Sequence, residues 1–90
     1  MDDKSFDLIN RYLTTEGLVK QLPAKQSIRK KILVYLSSKF ENDTIYSEKE
    51  VNTILQQWHS FSDPELLRRE LCVYGLLMRK KDGSEYWRVT

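Results

Sequence analysis

The 90-residue chain predicts a small, mainly helical α+β fold, with helices first and one β-hairpin last. Three local signals carry that expectation. In "YSEKEV", residues 46–51, Ser47-x-x-Glu50 is a capping box: the hydroxyl accepts from the third helical amide, and the carboxylate returns to the cap's own amide. At 63–65, "DPE" supplies an Asp cap and a Pro in the first helical position, and Gly75 stops the apolar periodicity that follows. Asp82-Gly83 separates two runs of strand-forming residues, where a tight two-residue turn needs positive φ.

The elements follow in order. Phe6, Ile9, Tyr12 and Leu13 fall at helical spacing behind an acidic first turn, which predicts a short helix over 3–13. Gly17 stops it, and residues 18–22 read as extended because Pro23 biases Leu22 away from helical angles. Over 24–40, Ile28, Ile32, Leu33, Tyr35, Leu36 and Phe40 lie largely on one side of a helix, with Lys30 and Lys31 directed elsewhere. After the loop "ENDT", Ile45 and Tyr46 form a very short strand. The capped helix starting at Glu48 carries Val51, Ile54, Leu55 and Trp58 as one stripe, and Tyr46 staples to Val51. A further helix spans 63–74, with Leu67, Leu71 and Tyr74 inward. The two-residue hairpin loop pairs Leu76 with Val89, Met78 with Trp87 and Lys80 with Glu85 on a mostly apolar face. Leu77 with Arg88, Arg79 with Tyr86 and Lys81 with Ser84 make the opposite, largely basic face. Residues 25–90 thus have the order of a winged helix-turn-helix, the hairpin being the wing, preceded over 1–24 by an extra N-terminal helix and extended segment that pack on the same core.

Hydrophobic content of 40 % with 31 % charge, 3 Gly and 2 Pro is that of a folded domain, and so short a chain has room for one core. No apolar run approaches the roughly 20 residues that span a bilayer. The start, "MDDKSFDLIN", is acidic where a secretory signal is basic, so a cytoplasmic location is expected. One cysteine, Cys72, excludes an internal disulfide, and with the single His59 it leaves no zinc-ligand spacing. There is no Gly-rich phosphate loop and no acid-base constellation, so neither catalysis, a cofactor nor a small-molecule ligand is expected.

Net charge is +2, but residues 20–39 carry six basic groups and no acid, while 40–63 carry one basic and five acidic. Residues 64–90 return to six basic against four acidic. Three candidate surfaces follow. The outer face of helix 63–74 presents Arg68 and Arg69, which in a helix-turn-helix would enter the major groove, where Arg pairs with guanine. The competing reading is that they pair with Glu48, Glu50 or other acids and fix helix packing. Without Asn, Gln, Ser or Thr beside them they read bases poorly, which favours a structural or phosphate-contacting role. On the hairpin, Arg79, Lys81 and Arg88 flank Tyr86, an arrangement suited to the sugar-phosphate backbone or to plain solvation. Lys25, Arg29, Lys30 and Lys31 form an additional basic patch at a helix start, a place the dipole disfavours for cations. His59, closing its helix, is suited to compensating the C-terminal dipole.

Four segments, "LVKQLPAK", "YSEKEVNTIL", "LLRREL" and "YGLLMRKKDGSEYWRV", together resemble a bacterial domain family of unknown function over residues 17–89. Members occur alone or behind an ArsR-type helix-turn-helix domain in transcription regulators. The resemblance implies a winged-helix-like fold and an association with transcription regulation, and no established chemistry. The chain is expected to be of the kind without the preceding regulator domain, and its connector "HSFSDPE" follows the family pattern loosely.

The expectation is therefore a winged-helix protein that binds double-stranded DNA, mainly through phosphates. The alternative is an interaction or dimerisation module on the same scaffold, using Leu66, Val73 and Leu77 against a second copy or a regulator protein.

Overall fold

A computed structural model describes residues 9–89. The helix expected over 3–13 lies mostly outside those residues; of it, Ile9 and Asn10 are helical. The extended segment is where the sequence places it. Val19 pairs antiparallel with Leu13 and parallel with His59, donating its N–H to Trp58 O (2.8 Å) and accepting from Ser60 N–H (2.9 Å).

Three helices follow: α1 (Gln26–Ser37), α2 (Glu48–Gln57) and α3 (Pro64–Val73). Helix α1 is shorter than the periodicity suggests, because residues 38–40 tighten into a turn in which Phe40 N–H donates to Ser37 O (3.1 Å). The capping box on α2 is complete: Glu50 N–H donates to Ser47 Oγ (3.1 Å) and Ser47 N–H to Glu50 Oε1 (2.8 Å). Helix α3 is capped by Asp63, which accepts from Leu66 N–H, with Pro64 in its first turn. It ends in a Schellman motif, with Leu76 N–H on Leu71 O (2.9 Å), Gly75 N–H on Cys72 O (3.0 Å) and Gly75 at φ 72°.

The connector between α2 and α3 is held by His59. Its Nδ1–H donates to Leu55 O, and its Nε2 accepts from Asp63 N–H (2.8 Å). The buried ring therefore closes α2 as a neutral donor and not, as the sequence suggested, by charge. These bonds help hold Ser62 at φ 57°, a left-handed angle that costs a non-Gly residue about 1–2 kcal/mol.

Strands β1 (Leu77–Arg79) and β2 (Tyr86–Arg88) pair antiparallel in the expected register, Leu77 with Arg88, Met78 with Trp87 and Arg79 with Tyr86. The short strand expected at 45–46 is reduced to one residue: Tyr46 makes an isolated antiparallel bridge to Tyr86, on the β2 side of the hairpin. Three helices closed by such a hairpin are compatible with a winged-helix-like arrangement. One cluster gathers Ile9, Leu13 and Val19 with Leu33 of α1, Leu55 of α2, Leu71 of α3, and Leu77 and Tyr86 of the hairpin.

Two details of the hairpin differ from expectation. Gly83 N–H donates to Lys80 O (2.9 Å) and only Gly83 has positive φ, so the tight turn is centred on Lys81 and Asp82, one residue early. Asp82 accepts instead from the amide and hydroxyl of Ser84, bonds that hold its carboxyl below the usual carboxylate range. The faces are also exchanged. Leu77 (1 % exposed) and Tyr86 (3 %) turn inward, while Met78 (49 %) and Val89 lie on the outer surface. Leu77 is thus part of the core and not of an interaction surface, and Tyr86 packs instead of standing open between cations.

Candidate functional site

Because Leu77 and Tyr86 face the core, Arg79, on the same side of β1, turns toward α3. On α3, Arg68, Arg69, Cys72 and Val73 face back. The six residues Arg68, Arg69, Cys72, Val73, Arg79 and Tyr86 line a shallow cleft of about 430 Å³ between the last helix and the hairpin. Burial pushes the Cys72 thiol above its usual range, opposed by the nearby guanidinium groups of Arg79 and Arg68.

The three arginines are not equivalent. Arg68 bonds to α2, its Nη2 2.8 Å from Glu48 Oε1 and its Nη1 donating to Asn52 Oδ1 at 2.5 Å. This is the pairing with Glu48 that competed with base reading. Arg69 and Arg79 are exposed and, among the described residues, carry no carboxylate partner. Lys81, also exposed, stands at the hairpin turn. Arg88 is outside the cleft, donating through Nη1 to Phe40 O (3.1 Å).

The basic patch on α1 is likewise divided. Arg29 donates through Nε to Glu70 Oε1 (2.8 Å), with Nη2 2.6 Å from the same oxygen, and through Nη1 to Pro23 O (3.2 Å). It joins α1 to α3 and offers little to a ligand. Lys25 and Lys30 are exposed and Lys31 is half-buried. Lys39 packs over two rings, 4.0 Å from the Trp58 centroid and 4.4 Å from Tyr35. Of the interaction residues, Val73 is the most open at 70 % and Leu66 is half-buried.

Glu70 and Asn52 were not singled out by sequence reasoning. Their partners lie 41 and 16 residues away, beyond any helical spacing. No group of side chains able to hold a metal occurs among the described residues, and no helix among them is long and apolar enough to cross a membrane.

Fold and cleft together define, among the described residues, three helices followed by a hairpin, with a cationic seam between the hairpin and the last helix. The chain belongs to the family described as "Uncharacterized protein conserved in bacteria (DUF2087)", whose model matches residues 18–88. No curated protein and no solved structure matches the sequence.

Proposed function

We propose that this chain is a winged-helix-type domain of a bacterial transcription regulator that binds double-stranded DNA through its phosphates. The observation that carries the reading is the convergence of Arg69 and Arg79 on one cleft without a carboxylate to neutralise them. A helix fits the major groove, and a hairpin at its side then lies over the adjacent minor groove. One backbone strand separates the two grooves, so it runs between helix and hairpin. Cations lining that seam meet phosphates and not base edges. Lys81 at the turn adds a further contact, while Arg88 and Tyr86, held by the fold, add none.

So few phosphate contacts imply weak, sequence-tolerant binding. Fluorescence anisotropy with generic duplex DNA should show affinity falling as salt rises, with a log–log slope of about −2 to −3 at roughly 0.9 per phosphate. Arg69→Ala and Arg79→Ala should each flatten the slope by about one. A protein that shows no binding at low salt, or variants with the parent's slope, would refute the reading.

A second reading, an interaction module, is favoured by the outer face of the hairpin. The Tyr46–Tyr86 bridge sets Ile45 (56 % exposed) beside Trp87, which pairs with Met78, making an apolar row across the hairpin and the segment bridged to it. Sedimentation should then show self-association that Met78→Asp abolishes; a monomer at all concentrations removes the homodimer form of this reading.

A further inference from the structure

Arg68 fronts the cleft yet is held from behind. Its side chain is 15 % exposed while that of its partner Glu48 is 51 % exposed. Glu48 sits in the first turn of α2, where the dipole favours an anion, and its carboxylate meets Arg68 as a phosphate oxygen would. A guanidinium has five N–H donors, and Glu48 and Asn52 engage Nη2 and Nη1. Donors therefore remain for a ligand in the cleft, but the charge behind them is already compensated.

We propose that Glu48 is a built-in competitor for the DNA phosphate, setting the affinity of the cleft by neutralising Arg68; this rests on the DNA-binding reading given above. With Glu48 in place, a phosphate meets Arg68 as one member of an ion pair that has no net charge. Without that carboxylate, Arg68 joins Arg69 and Arg79 as a third cation on the same strand.

The test is Glu48→Gln, which keeps the side chain's shape and an oxygen for Arg68 while removing the negative charge. Binding to one generic duplex is measured across a salt series for the parent, Glu48→Gln, Glu48→Gln/Arg68→Gln and Glu16→Gln. The last makes the same change in net charge in the turn packed against Tyr35. Thermal unfolding by circular dichroism checks that each variant folds. Glu48→Gln should steepen the log–log slope by about one and tighten binding severalfold near 0.1 M salt. The double variant should lose that gain, and Glu16→Gln should not show it. A Glu48→Gln slope equal to the parent's, or a gain matched by Glu16→Gln or kept without Arg68, overturns the competitor role and leaves the DNA reading standing. If neither parent nor variant binds at low salt, the DNA reading fails, and the competitor role with it.

Discussion

Two arginine–glutamate pairs grip α3 from opposite neighbours, and they use one chemistry to different ends. Arg29 of α1 reaches Glu70 of α3 with both side chains enclosed, 21 % and 16 % exposed, and its remaining nitrogen goes to Pro23 O. Arg68 of α3 reaches Glu48 of α2, whose carboxylate is half in water. In the first pair both charges are mostly enclosed at a helix junction, and the shallow cleft that they line with Gln26 and Tyr74 holds the acid beside its cation. In the second, the guanidinium borders a cleft whose other charged lining residues are Arg69 and Arg79, with no carboxylate among them. Enclosure of the acid, and not the presence of a pair, decides whether an arginine belongs to the scaffold or to a surface.

The comparison is broken most directly by removing each acid. Glu70→Ala leaves Arg29 enclosed with only a carbonyl, and is expected to cost about 2 kcal/mol; fully buried pairs lose about 3–5, and residual solvent access reduces that. Glu48→Ala should cost about 1 kcal/mol, since Arg68 keeps Asn52 and solvent screens the pair at a carboxylate half in water. Urea unfolding at neutral pH measures both, with midpoints shifted at constant m. Equal losses for the two variants would show that both pairs are scaffold. A smaller effect concerns the other basic surface. Because Arg29 is committed to Glu70, the α1 patch presents no set of arginines converging on one seam. Lys30→Ala should therefore alter duplex affinity by less than about twofold, against a full unit of salt slope for Arg69→Ala. A Lys30→Ala loss matching that of Arg69→Ala would move the anion-binding face to α1.

The caps and the hairpin register were legible because their signals are local. Ser47 and Glu50 are three residues apart, Gly75 stops one apolar stripe, and the register depends on where Asp82 and Gly83 fall. The facing of the hairpin was not legible. Apolar residues occur on both sides of it, Leu77 and Tyr86 on one and Met78, Trp87 and Val89 on the other, so alternation alone does not select the inner set. The choice is made by the Schellman turn, which delivers Leu76 to Leu71 O and sets the start of β1 against α3. Arg68 and Arg69 were placed on the outer face of their helix from spacing alone. That one is neutralised and its neighbour is not depends on α2 crossing beside the first, a long-range fact that no spacing encodes.

The smallest expected effect separates the two pairs most sharply. Glu48→Gln retains an oxygen for Arg68, removes a favourable charge from the first turn of α2, and should change stability by no more than about 0.5 kcal/mol. The equivalent Glu70→Gln keeps one acceptor but removes a carboxylate that is itself enclosed, where little solvent screens its attraction to Arg29, and its loss should approach that of Glu70→Ala. Measured side by side in urea, the two amides should thus diverge although each deletes one carboxylate from one arginine. A Glu48→Gln loss as large as that of Glu70→Gln would mean that Arg68 depends on its acid as Arg29 does. The cleft would then have two working cations, with the third fixed as scaffold.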